Sequence, residues 1–448
     1  MNARAGTSTL ARLQRLCVAV LRGERPLAAL FHSVGTQGLV LAANLVTGII
    51  TARLLGPQGR GEFAAVSVWP QFLAMVAMAG FSSAIVFRMR TFPERAGAIA
   101  GSALLAGGAT ATLATSAGLL MMPMWLAQYS PDVVLFAQLC LASVWINAAH
   151  MVIKQCLSGV TSYARSNLAT VLPHLLYLPA LVLLIPLGAM TARGAVLALL
   201  ISGACALLVL LPMFLRCVRP RIEGTREQLP RLLHYSSRSW LGELVFTFGT
   251  YADRLVLIPL LPAPQLGLYA VAFSFSRLVQ LVQPAVATVF FSQLSGRAAE
   301  ECKRLHDPAL RLLLTVMVPG VALVCLAGEL LLVTVFGAEF AGATPVFRVL
   351  AIEAALGVMS HLTVQLFLSC NRPGFVSMLQ GAMLVVSIVL LFLLVPAYGA
   401  MGAAAALAIA GTVRWLALLA AIRFALQLPL PRLLLTYEDL QFMLRRLR

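Results

Sequence analysis

Apolar runs long enough to form membrane helices recur along nearly the whole chain, parted by short stretches where Arg, Pro and Gly collect. A helix needs about 20 apolar residues to cross a hydrocarbon layer about 30 Å thick. A membrane β-barrel would instead show short alternating segments. The pattern predicts an all-α polytopic membrane protein of about 12 transmembrane helices. The spans fall near 34–54, 63–87, 97–122, 133–155, 166–187, 194–215, 237–261, 266–292, 309–336, 345–369, 375–397 and 401–424. Two six-helix lobes result, 34–215 and 237–424, joined by a basic connection at 216–236. An N-terminal segment (1–33) and a basic tail (425–448) lie outside them.

Polar residues interrupt the pattern at helical spacing. In the seventh span Glu243, Thr247, Thr250 and Arg254 follow at intervals of 4, 3 and 4 and share one face. Asp253 points about 100° away. In the eighth span Ser276, Arg277, Gln280 and Gln283 share a face. The first span carries Gln37, Asn44, Thr47 and Thr51, and the second Ser67, Gln71 and Ser82. Charge at membrane depth costs several kcal/mol per group and persists with a partner, a wet cavity or a function. Four helices, two per half, are therefore expected to present polar stripes to a central cavity.

The halves repeat. LGPQGRGEFA at 55–64 aligns with LPAPQLGLYA at 261–270, an offset of 206 that matches Gly61 to Gly267. PLGAMTARGAVLA at 186–198 is similar to PAYGAMGAAAALA at 396–408, where Gly194 matches Gly402 at an offset of 208. Six spans per half is an even number, so the copies have parallel topology.

Composition agrees with the pattern. Charged residues make up 11% of the chain, where a soluble protein carries about 25%. The net charge of +17 is carried mainly in the connections between spans, without interleaved aromatics, and is no nucleic-acid signature. With both termini inside, 26 of the 33 Lys and Arg fall on the cytoplasmic side and only Arg53, Arg60, Arg193 and Arg348 outside. The excess of inside charge predicts cytoplasmic termini. Leu10, Leu13, Cys17, Val20 and Leu21, interleaved with Arg12, Arg15 and Arg22, predict an amphipathic surface helix rather than a cleaved signal. The eight Cys form no CxxC pair, so neither a disulfide framework nor a zinc site is expected. No nucleotide-binding loop occurs, and no metal or other cofactor is expected.

ITARLLGPQGRGEFA (50–64) is similar to the start of the bacterial polysaccharide-biosynthesis membrane proteins, the O-antigen and exopolysaccharide flippases. YADRLVLIPLLPAPQLGLYAVA (251–272), VFGAEFAGA (335–343) and GAMGAAAALA (399–408) resemble later parts of the same family, which shares a superfamily with multidrug antiporters. The resemblance implies a cavity lined by spans 1, 2, 7 and 8. It also implies an isoprenoid-pyrophosphate-linked oligosaccharide as substrate, an inner-membrane location, and a polymerase and chain-length proteins as partners. An antiporter of small cationic molecules is the alternative on the same fold. A membrane glycan polymerase or ligase fits less well, because no outer connection exceeds about ten residues.

On this reading Arg277 and Arg254 are the candidate phosphate contacts, since a guanidinium engages phosphate oxygens bidentately. The structural alternative pairs Arg277 with Asp253. Arg53, at an outer helix end, is a further cavity candidate, with snorkelling at the interface as its structural alternative. Gln37, Asn44, Thr47, Gln71, Thr250 and Gln280 suit sugar hydroxyls. Asp253, Glu353, Glu243 and His361 are candidates for ion coupling. Glu353, His361 and Gln365 share one face of the tenth span through Gly357. Arg414, beside Trp415, reads as structural.

Overall fold

The computed structural model describes residues 26–160, 163–283, 290, 294 and 297–433. The amphipathic segment expected around 10–22, much of the second half of the eighth span, and the tail beyond 433 lie outside the described residues. The described chain is helical almost throughout, and no strand occurs in it. The helices are α1 (Pro26–Ala77), α2 (Phe81–Thr91), α3 (Ala96–Trp125), α4 (Pro131–Cys140), α5 (Ser143–Val160), α6 (Tyr163–Leu184) and α7 (Ala192–Cys217). After them come α8 (Thr225–Leu260), α9 (Ala263–Ser276), α10 (Ala299–Leu326), α11 (Gly328–Phe336), α12 (Thr344–Ser369) and α13 (Pro373–Phe424).

Among the described residues eight helical stretches are long and apolar enough to cross a membrane. Two of them are double. α1 leaves the helical path at Gly56 (φ 63°) and α13 at Gly399 (φ 57°). Glycine enters this left-handed region without steric penalty, so one residue suffices for each turn. α8, with its charged stripe, and the shorter α9 supply the seventh and eighth spans. Each of the twelve expected spans is thus met by helix over its described part. Three of them are interrupted, which hydropathy did not foresee. The second breaks at Gly80 (φ 78°) between α1 and α2, the fourth between α4 and α5, and the ninth at Ala327 between α10 and α11.

The chain forms two compact units, Met1–Leu54 with Ala65–Thr247, and Leu55–Ala64 with Phe248–Arg448. In the first, α5 is the hub and packs on α2, α3, α6 and α7. In the second the hub is α12, which packs on α9, α10 and α13 and is buried over most of its length. Lipid is as apolar as Leu, so close packing rather than water exclusion drives such contacts, and small residues favour them. The second half of α13 accordingly buries Ala400, Ala403, Ala404, Ala406, Ala410 and Gly411.

The second unit also holds the tip of the first hairpin, 55–64. A Cβ on Gly61 would sit 1.8 Å from the Ala263 carbonyl oxygen, and one on Gly267 would sit 2.0 Å from that of Pro57. Residues 57 and 61 correspond to 263 and 267 in the internal repeat, so the two tips contact each other reciprocally.

Candidate functional site

The polar groups of the second unit gather where α8, α9, α12 and α13 approach one another. α9 is anchored by Phe275, whose ring lies 5.5 Å from Phe336 and 5.3 Å from Phe347. Just beyond that anchor α9 tightens into a 3-10 turn, Arg277–Val282, which begins at the arginine. The Arg277 guanidinium lies 4.1 Å from the centre of the Phe273 ring, and Arg254 approaches the same ring at 4.9 Å. Arg254 also lies 5.8 Å from the Tyr251 ring. An aromatic face attracts cations, and more strongly where water is scarce. One ring therefore helps to hold two positive charges that would otherwise repel each other.

Arg277 pairs with Glu353 on α12, Nη1 to Oε2 at 3.1 Å. It does not pair with Asp253, which corrects the structural alternative read from the sequence. Asp253 instead accepts a hydrogen bond from the Tyr269 hydroxyl at 2.9 Å, and both residues are buried. Depth along the hairpin explains the choice. At 1.5 Å per residue, Asp253 lies about 13 Å from the turn and Tyr269 about 10 Å, while Arg277 lies about 22 Å away.

The pair of Arg277 with Glu353 is a charge contact and not an aligned hydrogen bond. Glu353 Oε2 is buried and has no hydrogen-bond partner among the described residues. One turn along α12, Gly357 leaves open space. A Cβ there would sit 2.8 Å from Gln280 Nε2 and 4.0 Å from Arg414 Nη2. Gln280 uses that opening and lies 3.4 Å from the Ala354 carbonyl oxygen, which accepts from its side-chain amide. Arg414 lies within electrostatic reach of both Glu353 and Arg277. Its Nε is buried and unbonded among the described residues. Further along the same face, His361 and Gln365 approach at 3.3 Å.

The remaining candidates divide by exposure. In the first unit Thr47 and Thr51 are buried, and their hydroxyls donate to carbonyls of their own helix, Ala43 and Thr47, at 2.9 and 2.8 Å. Gln37, Asn44, Arg53 and Gln71 are exposed, as is Thr250 in the second unit. Glu243 accepts from the backbone N–H of Gly80 at 2.8 Å and from the Ser83 hydroxyl at 2.7 Å. It thus satisfies free donors at the start of α2, where the helix dipole also favours a carboxylate. Sequence reading overlooked Phe273 and Tyr269. The signal for Phe273 was its spacing of four from Arg277, which stacks ring and guanidinium on one helix face.

The fold is that of the solved lipid II flippase MurJ and of MATE family transporters. The solved lipid II flippase MurJ superposes with a TM-score of 0.73 at 14% identity, covering 88% of this chain and 87% of that one. A multidrug resistance MATE family transporter of the MOP superfamily gives 0.69 at 19% identity, covering 87% and 94%. At the level of sequence, the family described as "Polysaccharide biosynthesis protein" matches residues 50–345, more than half of the chain, and the chain belongs to that family. A curated relative, the probable low-salt glycan biosynthesis flippase Agl15 of Haloferax volcanii, is 23% identical over 182 residues. The match spans 40% of this chain and 39% of that relative's length. The chain is accordingly a multi-pass membrane protein of the polysaccharide biosynthesis family.

Proposed function

We propose that the protein is a secondary flippase, which turns an isoprenoid-pyrophosphate-linked oligosaccharide from the inner to the outer leaflet for surface polysaccharide synthesis. The observation that carries this reading is the pair of guanidinia, Arg254 and Arg277, gathered on Phe273 within a membrane hairpin. A pyrophosphate linked to a polar glycan does not cross hydrocarbon unaided. Fixed cations in a sheltered site lower its barrier, and a guanidinium fork suits phosphate oxygens. Membership of the polysaccharide biosynthesis family and the likeness to a glycan flippase support the same substrate class.

Gln280 and Thr250 in the second unit, and Gln37, Asn44, Gln71 and Arg53 in the first, are the proposed contacts to sugars and head group. Movement needs no covalent step, and the membrane potential offers about 2.3 kcal/mol per charge per 100 mV. Asp253, buried with a tyrosine hydroxyl as its donor, is the proposed coupling carboxylate. Glu243 is occupied in closing a helix end, and His361 sits beside Gln365. The proposed location is the bacterial inner membrane with both termini cytoplasmic, and a polymerase and chain-length proteins are the proposed partners. An antiporter of cationic drugs, the other reading of this fold, is disfavoured by two arginines on one ring.

The test is replacement of the flippase gene in a strain lacking surface glycan. Restored glycan is expected. Protein correctly inserted but without glycan, together with efflux of a cationic dye, would overturn the reading in favour of the antiporter. Reporter fusions after Arg221 and Arg432 should both read cytoplasmic.

A further inference from the structure

An arginine already neutralised by a carboxylate is a poor anion receptor, and Arg277 is neutralised by Glu353. The flippase reading therefore needs a way for Glu353 to leave, and its surroundings supply one. Its hold on Arg277 is a single contact without hydrogen-bond alignment. A second guanidinium, Arg414, stands about one turn of α12 away, its buried Nε–H unbonded among the described residues. Between them the place beside Gly357 is taken by the neutral Gln280 amide, and Gly411 on the facing helix puts no side chain against Glu353, where a Cβ would sit 3.7 Å from its Cγ.

We propose that Glu353 is a resident competitor for Arg277, displaced onto Arg414 only by a head group bearing two adjacent negative charges. This deepens the flippase reading and rests on it. Arg277, Arg414 and Glu353 together carry one net positive charge. A phosphodiester lipid of the surrounding membrane brings a single negative charge, no more than the carboxylate it would have to replace. A pyrophosphate brings two, and its adjacent oxygens occupy the guanidinium fork bidentately, which Glu353 does not do. Glu353 therefore sets specificity by opposing the wrong ligand, so that abundant anionic phospholipid is not carried along. Arg414 acts as a positioning residue, because the displaced carboxylate needs a cation to remain buried.

The experiment uses the full-length protein in nanodiscs and two fluorescent probes, a geranylgeranyl pyrophosphate and a phosphatidylglycerol. Wild type should prefer the pyrophosphate by at least about tenfold. Glu353→Gln should raise phosphatidylglycerol binding by about tenfold, collapsing the preference. Arg414→Gln should weaken pyrophosphate binding by about tenfold while leaving phosphatidylglycerol unmoved, a selective effect that a general loss of structure would not give. An unchanged preference in Glu353→Gln, or normal pyrophosphate binding in Arg414→Gln, overturns the competitor role. If Glu353→Gln cannot be purified, the Arg414→Gln arm decides alone. Failure of wild type to bind the pyrophosphate at all overturns the flippase reading as well, so the two failures are distinguishable.

Discussion

Tyr269→Phe deletes one oxygen from the interior of the hairpin and leaves Asp253 without its donor. The hydroxyl and Asp253 Oδ2 are 2.9 Å apart, in residues only 1% and 6% exposed. A hydrogen bond to a charged group contributes about 1.5–3 kcal/mol, and a buried acceptor left without a donor adds its desolvation penalty. Within the hydrocarbon region water does not readily replace the lost donor. The expected destabilisation is about 2–3 kcal/mol. Asp253→Asn retains an acceptor of the same shape and removes the charge, so it should cost about 1 kcal/mol. The two changes share one contact, so together they should cost less than their sum, with a coupling of about 1–2 kcal/mol. Unfolding of the four proteins in mixed micelles, followed by tryptophan fluorescence, measures the cycle. A coupling below about 0.5 kcal/mol would refute the reasoning and would mean that Asp253 draws its stabilisation from elsewhere.

Gly61→Ala places a Cβ 1.8 Å from the Ala263 carbonyl oxygen and should loosen the joint between the tips by about 1–3 kcal/mol. Amide exchange should then quicken over both 55–64 and 261–270, and quickening at the altered tip alone would contradict the reciprocal contact. Arg277→Ala should abolish surface glycan at near-normal protein abundance, and Arg277→Lys should restore only part of it, because charge without the fork is half of the interaction. Full activity of Arg277→Ala would remove the phosphate role. On the first unit's surface, the hydrogen bond from Arg95, with the charges of Arg95 and Arg231, holds Glu227 below its ordinary value of 4.5. A lowered carboxylate stabilises fully above that value and loses its contribution as pH falls through the folded value. Amide protection over residues 93–97, corrected for the intrinsic pH dependence of exchange, should therefore fall as pH drops below 4.5 in wild type. Glu227→Gln should show the lower protection at every pH, and an identical acid step in that variant would rule Glu227 out as its source.

The helices were legible because hydrocarbon imposes length and apolarity on every span, and those properties are local to the sequence. The turns at Gly56 and Gly399 fell between expected spans for the same reason. The break at Gly80 was not legible, because it depends on Glu243, far along the chain, reaching back to a free N–H. The polar stripe of the seventh span is one face by spacing, yet its residues divide between two units at Thr247 and Phe248. Periodicity reports which side of a helix a residue takes and carries nothing about which neighbour comes to meet it. Arg277 illustrates the limit. Its need for a partner followed from its depth, while the partner, Glu353, lies 76 residues away on another helix.

Two surfaces that pack residue i on j and j on i form the isologous contact of a two-fold homodimer. Gly61 on Ala263 and Gly267 on Pro57 have that form inside one polypeptide. Such a joint suits an ancestor of six spans that met a second copy of itself at its hairpin tips before the two genes were fused. In a homodimer every charge added near the axis is added twice. Fusion lifts that constraint, and the offset of 206 shows where the chain has used the freedom. Arg277 corresponds to Gln71, Arg254 to Gly48, Asp253 to Thr47, Tyr269 to Phe63 and Phe273 to Ser67. The cations, their shared ring and the buried acid with its donor all belong to one copy. A homodimer carrying them would have set four arginines about a single axis, and the fused chain sets only two.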